Sequence, residues 1–124
     1  MNMIKKLLTA FLVLAFTLTG CSAIEDTTES TVEITTDAHF RNDYLLNEHY
    51  EKHGQYMGYD SAEEYEEGAR AVISNPDCLT KTESEDGDMV YYLEDTNEIV
   101  FVSKDDIIRT YFNPNDGIDY FNRQ

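Results

Sequence analysis

Residues 89–112 read MVYYLEDTNEIVFVSKDDIIRTYF, and this stretch decides the fold. It contains three short runs of apolar and aromatic side chains, at 89–94, 99–103 and 107–112, separated by the polar turns DTN and KDD. Runs of β-branched and aromatic residues bounded by such turns predict strands. Because the connections are only a few residues long, successive strands are expected to pair antiparallel.

The residues before this stretch extend the prediction. Residues 79–83 make a plausible first strand, and EDGD at 85–88 is a hairpin turn. Apolar residues at helical spacing predict a helix over 40–53 and another that starts after Ser61 and stops at Asn75-Pro76. We therefore predict a small α+β domain with two N-terminal helices followed by a four-stranded antiparallel sheet. Gly68 inside the second helix predicts close approach of another element there.

The N-terminal 38 residues are not expected to belong to this domain. Residues 1–21 combine two lysines, a short apolar run and the ending LTGC, which is typical of a lipoprotein signal peptide with a lipobox. Cys21 is then the lipidated residue, and the lipid anchors the chain to the extracytoplasmic face of the cell membrane. The alternative is a plain secretory signal. Residues 22–38 are rich in Thr, Glu and Asp and predict a flexible tether, which leaves 39–124 as the domain.

The net charge narrows the possible partners. Loss of the two lysines of the signal leaves seven basic and 25 acidic residues, a net charge near −18. Such a charge repels phosphate backbones over roughly 8 Å in physiological salt, so non-specific nucleic-acid binding through a basic face is not expected. After lipidation of Cys21, Cys78 is the only thiol, and an intramolecular disulfide is impossible. A lone cysteine of this kind is usually a buried filler.

The first candidate site is HYEKHG at 49–54, which holds His49, Lys52 and His53. Histidines at i and i+4 lie on one face of a helix. Histidine transfers protons near neutral pH, and a neighbouring cation stabilises charge on a phosphoryl group. This combination suits RNA cleavage through the 2′-hydroxyl, which needs no metal and no cofactor. The alternatives are a metal-binding pair, which lacks an obvious third ligand, and a solvated helix end.

The second candidate site is IIRTYF at 107–112. Strict alternation along a strand directs Arg109 and Tyr111 to one face and Thr110 to the other. A threonine hydroxyl on a sheet surface can bind a phosphate or orient a histidine, although threonine is also a routine strand former.

Taken together and in this order, the motifs resemble the C-terminal toxin domains of polymorphic toxins, including Rhs-type and phage-associated forms. These domains are grouped with the barnase, EndoU, colicin and RelE ribonucleases. The resemblance covers roughly residues 40–124. By position, the family's H-x-x-K-H-G falls on HYEKHG, its T-N on Thr96 and Asn97, its R-T-x-F-x-P on RTYFNP at 109–114, and its Y-F on Tyr120 and Phe121.

The resemblance implies a barnase-like fold and metal-independent cleavage of RNA by transesterification. His49 is then the proton donor or acceptor, and Lys52 and Arg109 hold the scissile phosphate. Thr110 orients the reacting groups, and His53 either joins in catalysis or packs structurally. Substrate-binding roles are predicted for Thr96, Asn97 and Tyr111. The partners are RNA and an immunity protein. The alternative function is a non-catalytic surface lipoprotein whose acidic domain binds a basic protein or a cell-wall component.

Overall fold

The computed structural model describes residues 32–124. The predicted signal peptide, Cys21 and residues 22–31 of the predicted tether lie outside the described residues. Between residues 32 and 124, no helix is both long and apolar enough to cross a membrane.

Five strands and three helices make up the described part of the chain. In chain order, the elements are β1 (His39–Phe40), α1 (Asp43–His49), a π-helical turn (Tyr50–Gly54), α2 (Ala62–Ser74), β2 (Leu79–Thr82), β3 (Met89–Leu93), β4 (Glu98–Val102), β5 (Ile107–Phe112) and α3 (Ile118–Asn122). The sheet has the order β1-β5-β4-β3-β2. β1 is parallel to β5, and every other neighbouring pair is antiparallel.

This architecture confirms the α+β class and the antiparallel order of the last four strands, but the predicted counts of strands and helices were wrong. β1 has only two residues, which is too short to produce an alternating pattern, and Phe40 was assigned to the first helix for that reason. The third helix is α3, where the sequence analysis predicted only an apolar anchor at Tyr120 and Phe121.

The predicted first helix begins later and ends differently from the prediction. Asn42 caps its start, because the Asn42 side chain accepts a hydrogen bond of 2.9 Å from the Leu45 amide. After His49 the helix widens into the π-helical turn, which the Gln55 amide closes by donating to the Tyr50 carbonyl at 3.0 Å. A β-carbon on Gly54 would lie 2.5 Å from the ring of Tyr50, so the turn requires glycine at that position.

The helix α2 follows its sequence pattern closely. The Ser61 hydroxyl accepts a hydrogen bond of 3.1 Å from the Glu64 amide, as predicted for the cap. Gly68 does mark a close approach, because a β-carbon there would lie 2.1 Å from the hydroxyl of Tyr59. α2 therefore packs closely at Gly68, on the face of the sheet that it covers.

Both faces of the sheet are covered. The face under α1 and α2 contributes the larger core cluster, and the opposite face contributes a smaller cluster closed by Phe121 of α3. Ile108 and Tyr111 of β5 both belong to the larger cluster. Strict alternation cannot place residues three apart on one face, so the strand must contain an irregularity.

That irregularity is a β-bulge at Arg109. On β4, Phe101 and Val102 are consecutive, whereas their partners on β5 are Thr110 and Ile108. Arg109 is the extra residue and pairs with neither. The prediction that Arg109 and Tyr111 share a face was therefore wrong, because a bulge re-aims the side chains that follow it.

Candidate active site

His49 is the last residue of α1 and lies half-buried between α1 and the sheet edge. Its Nδ1 is 2.9 Å from the carbonyl oxygen of Leu45, and its ring centroid is 5.1 Å from that of Phe40. A carbonyl oxygen only accepts hydrogen bonds, so Nδ1 carries the proton. In the neutral ring, Nε2 is therefore the atom that can accept a proton from a bound substrate.

A cavity of about 180 Å³ joins His49 to the strand β5. Its lining comes from β1, the connection after β1, α1 and the start of β5: Phe40, Arg41, Leu45, His49, Ile107, Ile108 and Arg109. The two candidate sites predicted from the sequence thus meet at one cavity, His49 from the first and Ile107, Ile108 and Arg109 from the second. The parallel pairing of β1 with β5 creates this arrangement, because it brings the start of α1 against the start of β5.

His53 lies beside this cavity and does not line it. Its ring stacks on Phe112 with a centroid separation of 5.2 Å, and its centroid is 6.2 Å from that of His49. Burial lowers the pKa of the His53 imidazole below its ordinary value, and the charges of His49 and Lys52 lower that pKa further. His53 therefore packs against Phe112, and its surroundings favour the neutral form of its ring.

The guanidinium of Arg109 is held by the buried carboxylate of Asp88. Its Nε lies 3.0 Å from one carboxylate oxygen of Asp88, and a second nitrogen donates to the other oxygen at 3.4 Å. This ion pair borders a second cavity of about 230 Å³, lined by Glu83, Asp86, Asp88, Phe101, Arg109, Thr110, Tyr120 and Gln124. Thr110 thus lies with Arg109 in the second cavity and not with His49 in the first.

Lys52 is exposed on the π-helical turn and lines neither of these two cavities. Within residues 32–124, ion pairs hold Arg70, Arg109 and Arg123, and Lys81 contacts two backbone carbonyls. Arg41, Lys52 and Lys104 make no ion pair in that part of the chain. Of these three residues, Arg41 lines the cavity beside His49, and Lys52 follows His49 by three residues in the chain. No local signal in the sequence marks Arg41 as a site residue, because only the pairing of β1 with β5 brings it to the cavity.

The three predicted substrate-binding residues occupy structural positions. Tyr111 is fully buried, and its hydroxyl bonds Tyr59 at 2.7 Å and the carboxylate of Glu98. The Thr96 hydroxyl donates to the same Glu98 carboxylate. The Tyr111 ring is a core residue, and its predicted contact with substrate stays a prediction.

Asn97 has a structural role of its own. Its backbone φ is 58°, its side-chain oxygen accepts from the Tyr92 hydroxyl at 2.7 Å, and its side-chain nitrogen donates to the Pro114 carbonyl at 3.0 Å. Both polar atoms of the amide are thus occupied within the protein. The side chain ties the β3–β4 turn to the loop after β5.

Three carboxylates in the described residues lie close enough to share a cation. Ligand atoms of Glu83, Asp86 and Asp88 are within 4.8 Å of one another. Partial burial and the neighbouring Asp86 and Asp88 raise the pKa of Glu83. Arg109 already provides positive charge to this group through Asp88. Neither His49 nor His53 belongs to such a group within residues 32–124.

The sequence matches no protein-family model, and a comparison with curated proteins found no match. Its fold is similar to that of a solved structure described as a ribonuclease from Escherichia coli complexed with its inhibitor protein. That comparison has a TM-score of 0.50 and 16% sequence identity, and it covers 62% of this chain and 95% of the other. At this identity the likeness concerns the fold, so the described part of the chain has a ribonuclease-like α+β fold.

Proposed function

We propose that residues 39–124 form a metal-independent ribonuclease domain that cleaves RNA by transesterification. The observation that carries the proposal is the shared cavity of His49 and Arg109 in a chain with a ribonuclease-like fold. Arg41 and Lys52 support it, since neither forms an ion pair within residues 32–124 and both belong to the region of the histidine pair. A phosphate entering this region would meet donors on two sides.

In the proposed reaction, Nε2 of His49 removes the proton of a ribose 2′-hydroxyl. The 2′-oxygen then forms a bond to the adjacent phosphorus, and the bond from phosphorus to the 5′-oxygen breaks. The departing 5′-oxygen takes a proton from the protonated ring of His53, so the products are a 2′,3′-cyclic phosphate and a 5′-hydroxyl. Arg109 and Lys52 hold the non-bridging phosphate oxygens, whose charge grows in the transition state. Thr110 contacts the bound RNA on the far side of Arg109.

The test is cleavage of a mixed panel of RNAs in the presence of a chelator. His49→Ala is expected to lower the rate by about 10²–10⁴-fold, the usual contribution of one general acid or base. His39→Ala is the matched control, because His39 is an exposed histidine of β1 that does not line the cavity. No cleavage by the wild-type chain, or equal rates for the two variants, would rule the proposal out.

We further propose that this domain is a toxin-type domain displayed on the extracytoplasmic face of the cell membrane through lipid on Cys21. An inhibitor protein is the corresponding partner, by analogy with the complexed ribonuclease of similar fold. Labelling of cells with radioactive palmitate tests the anchor. The wild-type chain is expected to take up label, and Cys21→Ser is expected to remain unlabelled and to leave the membrane fraction.

One observation favours the alternative, a non-catalytic domain that binds a basic protein or cell-wall component. The guanidinium that would bind phosphate is already paired with Asp88, next to Glu83 and Asp86. Binding of a lysine-rich peptide, measured by calorimetry, tests this function. Loss of that binding in the double variant Glu83→Gln, Asp86→Asn, together with absence of RNA cleavage, would establish the alternative.

A further inference from the structure

The cavity beside His49 has walls suited to a flat apolar ring. Phe40, Leu45, Ile107 and Ile108 supply most of the lining, and Phe40 itself is 3% exposed. The remaining lining residues are Arg41, His49 and Arg109. Among residues 32–124, no carboxylate lines this cavity, so the described walls do not repel an anionic ligand, although the chain as a whole is acidic.

The size of the cavity restricts what it can hold. A cavity of about 150 Å³ lined by Leu, Ile and Phe accommodates a benzene ring. At about 180 Å³, the cavity beside His49 has room for one six-membered ring and its small substituents. A purine adds a second fused ring, for which little volume remains.

Arg41 places a donor at the rim. It follows β1 directly, is exposed, and forms no ion pair within residues 32–124. Arginine binds phosphate oxygens through paired N–H groups, and such a contact carries charge complementarity as well as geometry. An exposed and unpaired arginine at the mouth of an apolar cavity matches a ligand that joins a flat ring to a phosphate.

We propose that this cavity is a nucleobase pocket that receives one unstacked pyrimidine, with Arg41 bound to the phosphate of the same nucleotide. The proposal rests on the proposed ribonuclease function and specifies its substrate. Leu45 and Ile107, the partly exposed apolar residues of the lining, contact the base, while His49 and Arg109 face the scissile phosphate. Cleavage next to pyrimidines is the consequence.

The experiment is calorimetric titration of the full chain with pyrimidine and purine nucleoside 3′-monophosphates, and with inorganic phosphate. Pyrimidine nucleotides are expected to bind about tenfold more tightly than inorganic phosphate, since contact between a base and protein side chains adds affinity of this order. Purine nucleotides are expected to bind no more tightly than inorganic phosphate. Because titration measures binding, its outcome is separate from the cleavage test of the function.

Two separate variants fill the cavity, so that the test can still be carried out if one of them does not fold. Leu45→Trp and Ile107→Trp should each remove the tenfold preference and leave phosphate binding unchanged. Arg41→Ala should weaken nucleotide binding by about tenfold, whereas Lys104→Ala, which removes another free cation away from the cavity, should have no effect. Equal binding of purine and pyrimidine nucleotides, or a preference that survives both tryptophan variants, would overturn the proposal.

Discussion

The guanidinium of Arg109 lies 3.0 Å from a carboxylate oxygen of Asp88, and the two side chains are 46% and 7% exposed, respectively. The bulge in β5 makes this contact possible, because it releases Arg109 from the alternation of the strand. The pair joins the candidate active site to the β2–β3 turn. A phosphate bound by Arg109 would therefore compete with Asp88 for the N–H groups of the same guanidinium.

Replacement of Arg109 by alanine should destabilise the fold as well as weaken the site. Removing one partner leaves the Asp88 carboxylate buried without a counter-charge. We expect Arg109→Ala to lower the free energy of unfolding by about 2 kcal/mol, less than for a fully buried pair because the arginine is half-exposed. Urea unfolding measures this change. Arg123→Ala is the control, since its pair with Asp116 is exposed on both sides and should contribute at most about 1 kcal/mol. Equal losses in the two variants would contradict the buried character of the first pair.

Replacement of Asp88 by asparagine should have the opposite effect on anion binding. Asparagine keeps the size of the side chain and removes the negative charge that occupies Arg109. We expect Asp88→Asn to tighten binding of inorganic phosphate by about fivefold, or about 1 kcal/mol. Calorimetric titration measures the affinity, and Asp116→Asn removes one equivalent charge at a distance from the cavity. A gain of the same size in both variants would show a general charge effect and not release of Arg109.

Gly68 should be intolerant of alanine even though alanine favours helices. A β-carbon at this position meets the Tyr59 hydroxyl, which is hydrogen-bonded to Tyr111 at 2.7 Å. Displacement of Tyr59 breaks that bond, so we expect a net loss of about 2 kcal/mol against a helix-propensity gain of about 1 kcal/mol. In a Tyr59→Leu background the contacts at 2.1 and 2.5 Å are absent and only the Tyr111 hydroxyl remains close, at 3.0 Å, so Gly68→Ala should cost much less than in the wild-type chain. Additive effects in this double-mutant cycle would show that Tyr59 is not the cause.

The sequence predicted the elements whose signals are local. The last four strands are short apolar runs between turn residues, and Ser61 with Glu64 marks the start of α2, so both were placed nearly to the residue. Features that depend on tertiary structure were missed. The two-residue strand β1 forms by pairing with the edge of β5, and this pairing also brings Arg41 to the cavity. The bulge at Arg109 breaks the alternation from which the faces of β5 were predicted.

The pKa of His53 should lie below the ordinary value of 6.5, with burial as the larger cause and the charges of His49 and Lys52 as the smaller ones. As pH falls below 6.5, His53 becomes protonated in the unfolded chain while it is still neutral in the folded chain. Stability is therefore unaffected at high pH and declines between 6.5 and the lower folded pKa. NMR titration of the His53 ring measures that pKa directly. Phe112→Ala, which uncovers the ring, should raise the pKa more than Lys52→Met, which removes one charge. The reverse order would refute burial as the main cause.

Asn97 should prove to be a structural residue whose loss leaves RNA binding intact. Its amide bonds both the Tyr92 hydroxyl and the Pro114 carbonyl, and its φ of 58° is unfavourable for most side chains. We expect Asn97→Ala to cost about 3 kcal/mol, from two lost hydrogen bonds and the strained backbone. Asn97→Gly loses the same bonds but adopts this φ freely, so it should cost about 1 kcal/mol less. Thermal unfolding ranks the variants, and binding of RNA is then compared at a temperature where both are folded. Weaker RNA binding by both folded variants would restore Asn97 to the substrate site.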